Sequence, residues 1–292
     1  MASGSHDPVT GRQTTGHEWN GIEELDSPVP RVVLFFLAVT AVFAVGYWIL
    51  MPAWPTGLSY TKGLLGIDQR QLVTRQVEDA AAARSALTNR IATEDFVSLA
   101  ADDQVMTYVR DSGRTLFADA CSACHGAGGK GGPGFPDLKG GSSLWGSDAA
   151  TIAETIRVGI NSAHPDTRVS QMLAFGRDGI LERDAVLAAS AYVRSLSGQK
   201  LTNVEQGRVE TGRTVFAESC ASCHGAAGKG QPDLGAPDLT DTRWIYGGDA
   251  QSVHASIYSG RQGQMPAWEG RLTPAEIKLL ALYVGTLGGE RP

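Results

Sequence analysis

All four cysteines of the 292-residue chain fall in two short motifs, CSACH at Cys121–His125 and CASCH at Cys220–His224. A C-x-x-C-H run is the attachment site of c-type haem. Two thiols close thioether bonds to the porphyrin vinyl groups, and the next residue brings an imidazole to the iron. Cys121, Cys124 and His125 would hold one haem; Cys220, Cys223 and His224 would hold a second, so two covalently attached haem c groups are expected. A redox dithiol or a zinc site are the other chemistries open to a CxxC pair. The first needs an α/β setting, and no strand pattern flanks either motif. The second needs a further ligand repeated in register, and no cysteine remains.

The sixth iron ligand decides what such a centre does. Methionine opposite histidine closes the iron and raises its potential, which suits electron transfer; an open position suits catalysis. Of five methionines, Met1 and Met51 lie far from the motifs and Met106 precedes the first one. Met172 and Met265 remain for two irons. Met265 sits in GQMPAW, where Pro266 biases it toward extended backbone and so toward presenting its thioether. Met172, in QMLAFG, keeps the Gln-Met-x-Ala-aromatic frame, with Leu173 in the proline's place and Phe175 standing for Trp268. On this reading Met265 serves the His224 iron and Met172 the His125 iron. His164, in INSAHPDTRVSQM, is the alternative donor to the first iron, and an iron without a protein sixth ligand is the third option. A core methionine and a solvated loop histidine are the plain readings of these residue types. No catalytic residue is assigned.

The elements that must position these ligands come as an internal repeat. GRTLFADACSACHG at Gly113 recurs as GRTVFAESCASCHG at Gly212, and GFPDL at Gly134 recurs as GAPDL at Gly235. WGSDAATIAETIRVG at Trp145 aligns with YGGDAQSVHASIYSG at Tyr246, and AYVRSL at Ala191 with LYVGTL at Leu282. The first copy is longer, mostly between Gly159 and Met172. Each copy reads as helices joined by Gly- and Pro-rich loops. Thr273-Pro274-Ala275-Glu276 is a capping box with proline at the first helical position. Ile277, Leu280, Ala281, Val284 and Leu287 then follow at helical spacing. Val209, Gly212 and Phe216 line one side of the helix leading into CASCH.

Upstream, Val32 to Met51 is a run of twenty uncharged residues. At about 1.5 Å per residue it spans the roughly 30 Å hydrocarbon layer. A cleavable signal fits poorly, because five acids precede the run. Positive charges tie across it, Arg12 and Arg31 against Lys62 and Arg70, so they do not orient it. Haem attachment outside the bacterial cytoplasmic membrane breaks the tie. The expected order is a cytoplasmic segment (1–31), a transmembrane anchor (32–51), a partly helical periplasmic stalk (52–104) and two domains at 105–200 and 204–292. The fold class is mainly α, one N-terminal transmembrane helix followed by two tandem class I cytochrome c domains. Thirty-one acidic against 25 basic residues leave a net charge of −6, without the basic surplus of a nucleic-acid binder.

GHEWNGIEELDSPVPR, an anchor ending GYWILMPAWP, a stalk and tandem CxxCH motifs together resemble the dihaem subunit III of cbb3-type cytochrome c oxidases. The N-terminal string makes the likeness specific; the CxxCH motifs alone identify only cytochromes c. Departures are Val32-Val33, where relatives often carry tryptophans, and Leu173. The resemblance implies a non-catalytic electron-transfer subunit in the bacterial inner membrane. It would take electrons from a cytochrome c or a cytochrome bc complex. They would go on through a monohaem cytochrome c subunit to the haem–copper catalytic subunit, where oxygen is reduced. A membrane-anchored dihaem cytochrome serving a dehydrogenase or bc complex is the nearest alternative; a dihaem peroxidase would need an iron with an open or displaceable sixth site.

Overall fold

The computed structural model describes residues 5–139 and 144–288, and its contacts divide the chain into two units, 1–81 and 82–292. The outermost ends of the first and last expected segments, residues 1–4 and 289–292, lie outside the described residues.

In the first unit a two-stranded antiparallel hairpin, β1 (Thr14–Trp19) and β2 (Ile22–Leu25), precedes helix α1 (Arg31–Leu50). The hairpin turns at Asn20 and Gly21, both with positive φ (53° and 84°). That is the geometry a two-residue hairpin loop needs and the reason Asn-Gly favours one. The Asn-Gly step between Trp19 and Ile22 is the local sequence signal for this turn. Helix α1 starts at the proline-arginine step, buries none of its residues and has a mean hydropathy of 2.4. Its length and composition are those of a membrane span.

Helix α2 (Gln69–Thr93) belongs to the expected stalk, yet its end enters the second unit's core: Ile91 is 1% exposed. Helix α3 (Phe96–Ala101) adds Leu99, which is 0% exposed, so the stalk is structural over its last turns. Polar caps set this corner. Asp95 accepts the Ser98 N–H at the start of α3, and Asp102 accepts those of Gln104 and Val105 at the start of α4 (Asp103–Ala120). Arg90 bonds both Glu94 (2.6 Å) and Asp102 (2.8 Å), fixing the angle between α2 and α4.

The remaining helices are α5 (Ser122–His125), α6 (Ala149–Val158), α7 (Arg183–Leu196), α8 (Asn203–Gln206), α9 (Val209–Ser219), α10 (Ala221–His224), α11 (Ala250–Ser259) and α12 (Pro274–Thr286). Thr273 and Glu276 make the capping box foreseen for α12. Their packing crosses between the repeats. Helix α12, from the second repeat, packs on α4 and α6 of the first; α7, from the first, packs on α9 and α11 of the second. Each of the two hydrophobic cores is therefore assembled from both repeats. This differs from the contiguous domains at 105–200 and 204–292: those ranges delimit the sequence repeats, whereas each packed lobe exchanges its closing helix. Lobe one comprises α3–α6 with α12, and lobe two α7 with α9–α11.

Two glycines allow the exchange. A Cβ on Gly113 in α4 would lie 2.7 Å from Tyr283 Cβ on α12, and one on Gly212 in α9 would overlap the Ala188 carbonyl on α7. Removing the side chain lets the helices close in, and the aromatic rings then meet beside each glycine. Phe117 and Tyr283 centroids stand 5.6 Å apart, and Tyr192 and Phe216 stand 5.3 Å apart. Ile277 and Leu279 to Tyr283 are all buried, more than the single apolar face anticipated.

Candidate metal centres

Each CxxCH motif occupies the turn where an opening helix ends. Cys121 caps α4 through its N–H on the Phe117 carbonyl, and Cys220 does the same for α9 on Phe216. Cys121 and Cys220 are half-buried and Cys124 and Cys223 exposed. Burial pushes the Cys121 and Cys220 thiols up to about 11. Burial likewise holds His125 and His224 below the ordinary imidazole value. Neutral imidazole is the form that ligates a metal.

The imidazoles are aimed by carbonyls. His125 Nδ1 lies 3.3 Å from the Pro136 carbonyl oxygen, and His224 Nδ1 lies 3.1 Å from that of Pro237. A carbonyl only accepts, so Nδ1 carries the proton and Nε2 keeps its lone pair for iron. Among the described residues, Nε2 of neither ring makes a hydrogen bond. The repeated GFPDL and GAPDL strings were the sequence signal for these carbonyls, but they showed the repeat without showing its purpose.

Met265 and Met172 lie on short extended segments that also cross. Met265 exchanges backbone hydrogen bonds with Ile160, 2.9 Å each way, just after α6; Met172 exchanges 2.8 and 3.1 Å bonds with Arg261, just after α11. Gly159 and Gly260 accept these segments closely: a Cβ on Gly159 would overlap the Met265 carbonyl, and one on Gly260 would lie 2.5 Å from that of Met172. Met265 accordingly packs on the core that contains Cys121, and Met172 on the core that contains Cys220. The pairing read from sequence order, Met172 with the His125 motif and Met265 with the His224 motif, is not the one this packing makes.

His164 is otherwise engaged. Its Nδ1 accepts the Asp166 N–H at 3.0 Å, and its Nε2–H donates to Glu269 Oε2 at 2.5 Å. With both nitrogens committed, it has no lone pair left to offer an iron. The Nε of Arg168 and the Nε1–H of Trp244 are buried without a hydrogen-bond partner among the described residues. Orphaned cationic and N–H donors suit a group with carboxylate edges. Paired thiols, oriented imidazoles, thioethers and these donors fit haem.

Residues 11–57 match the N-terminal domain of cytochrome oxidase-cbb3, FixP; residues 207–284 match cytochrome c oxidase, cbb3-type, subunit III; residues 111–197 match cytochrome c. The cbb3-type cytochrome c oxidase subunit FixP of Bradyrhizobium sp. (strain ORS 278) is 44% identical, over 98% of both chains. The subunit CcoP of Azospirillum sp. (strain B510) is 41% identical over 100% of both, and that of Cereibacter sphaeroides 41% over 94% of both. The chain belongs to the FixP/CcoP family of cbb3-type cytochrome c oxidase subunits. As a FixP/CcoP subunit it is a non-catalytic, electron-transferring component of the oxidase. Helix α1, the one helix among the described residues long and apolar enough to cross a membrane, anchors it in the inner membrane, with the cytochrome part periplasmic. Its cysteine motifs are of the kind that attach haem c.

Proposed function

We propose that this FixP/CcoP subunit is a dihaem carrier whose two irons are ligated across the repeats: His125 with Met265 in lobe one, His224 with Met172 in lobe two. Each lobe is then a cytochrome c domain closed by the other repeat's last helix. The observation that carries the reading is that Met265 and Cys121 pack against one hydrophobic core and Met172 and Cys220 against the other. Each haem, when bound, supplies a one-electron iron couple. The protein does the rest. Pro136 and Pro237 hold the imidazoles in the ligating tautomer, Cys121, Cys124, Cys220 and Cys223 tether the porphyrins, and the methionine segments present thioethers to the remaining face. With a thioether on each iron in the resting protein, electron transfer is favoured over peroxide chemistry.

In the complex, the subunit takes electrons from a cytochrome c or a bc complex. It delivers them by way of the monohaem cytochrome c subunit to the haem–copper catalytic subunit. The anchor and the exposed length of α2 supply surface for these neighbours.

The test uses full-length protein with Cys220→Ala and Cys223→Ala, so that only the first motif carries haem. Crossed ligation requires Met265→Ala to abolish its sulfur–iron charge-transfer band while Met172→Ala leaves the band in place. The reverse result would restore contiguous pairing.

A further inference from the structure

The two methionine segments leave their bridges along matching paths but are fastened unequally. After Met265, the N–H groups of Trp268 and Glu269 bond the Arg157 carbonyl, at 3.2 and 3.1 Å. After Met172, those of Gly176 and Arg177 bond the Tyr258 carbonyl, at 3.2 and 2.9 Å. The backbone fastening is the same; the side chains are not.

In lobe one, Arg157 Nη1 reaches both oxygens of Glu269 at 3.1 Å, while its Nε and Nη2 grip Glu154 at 2.8 Å and Nη2 lies 3.4 Å from Asp166. His164 closes the other side of Glu269. Its own backbone is pinned by Ser162 Oγ, which accepts the His164 N–H at 3.1 Å, so the ring is delivered from a braced loop. The His164 side chain is only 12% exposed. Glu269 is half-exposed, so the bond gains from belonging to the Arg157 network rather than standing as a lone surface pair. In lobe two, Tyr258 stands in the place of Arg157 and Gly176 in the place of Glu269. Gly176 lies flat on the Tyr258 ring, where a Cβ would overlap it, and Arg177 pairs with its own neighbour Asp178 instead of crossing. The segment carrying His164 is the extra length of the first repeat, so lobe two has no equivalent.

We propose that His164 is a positioning residue for Met265. Through Glu269 and Arg157 it clasps the Met265 segment to α6, so that the Met265 thioether stays on its iron under conditions that displace Met172. The proposal rests on the crossed ligation above. It gives the inserted segment a purpose: one centre is guarded against exogenous ligands, and the other is left the more easily opened.

The experiment is an imidazole titration of the oxidised full-length protein in detergent, followed by the sulfur–iron charge-transfer band. Variants retaining one haem identify the phases. The wild type should lose its band in two steps, the Met172 step first. His164→Ala and Glu269→Ala should each lower the imidazole concentration for the Met265 step by about tenfold, as expected for a hydrogen bond to a charged group. The Met172 step should stay where it is. His164→Gln, whose amide can still donate to Glu269, should recover most of the shift and guards against simple misfolding. Coincident steps in the wild type, or a Met265 step unmoved in both alanine variants, would overturn the clasp. If Met265→Ala leaves the lobe-one band intact, it is the ligation beneath the proposal that has failed.

Discussion

Tyr192 of the first repeat places its Cβ 2.7 Å from where a side chain on Gly212 of the second would begin. Tyr283 and Gly113 repeat that relationship in the other lobe, at the same distance. Two glycine–tyrosine contacts, each joining one repeat to the other, thus sit at the heart of the exchange.

Gly212→Ala should destabilise lobe two by about 1–3 kcal/mol, the usual cost of forcing a methyl group into a filled contact. Because the obstruction is the Ala188 backbone and the root of a tyrosine, neither can swing aside. Thermal unfolding followed at the haem Soret band in single-haem variants should show the second haem's transition falling while the first changes little.

The corner between α2 and α4 makes a prediction about acid. Asp102 is held below its usual 3.8 by hydrogen bonds from Arg90 and from the Val105 N–H, and Glu94 is lowered from 4.5 by Arg90. A depressed carboxylate stabilises the fold above its unfolded value and loses that contribution as pH falls through the native one. The urea midpoint of the wild type should therefore hold at neutral pH and drop below pH 3.8. Asp102→Asn keeps a capping side chain but loses the ion pair. It should start lower at neutral pH and converge with the wild type in acid.

Val42 is 74% exposed near the middle of α1. Val42→Arg should cost about 2.5–3.5 kcal/mol of membrane insertion. Alkaline carbonate extraction should release a larger share of this variant than of the wild type, and less of it should co-purify with the oxidase.

Local signals were legible in the sequence because their physics is local. Thr273, Pro274 and Glu276 announced the start of α12, and CSACH and CASCH announced haem chemistry, each from a few adjacent residues. The crossing was not legible. Both repeats carry the same opening glycine and the same closing aromatic, so Tyr283 suits Gly212 as well as Gly113 by pattern alone. The choice falls to loop lengths and packing between distant segments, which no periodicity encodes. Ile91 and Leu99 were hidden for a related reason: an alanine-rich, charged stretch shows no apolar face until α12 arrives to cover its end. His164 could be read as a possible ligand by type, but its true engagement depends on Glu269, far along the chain.

The exchanged closing helices also make each repeat depend on the other to finish folding. The core beside the first CxxCH motif closes only when α12, far along the chain, packs on α4 and α6. A chain stalled before Pro274 would leave Val109, Phe117 and Ile156 without the helix that covers them.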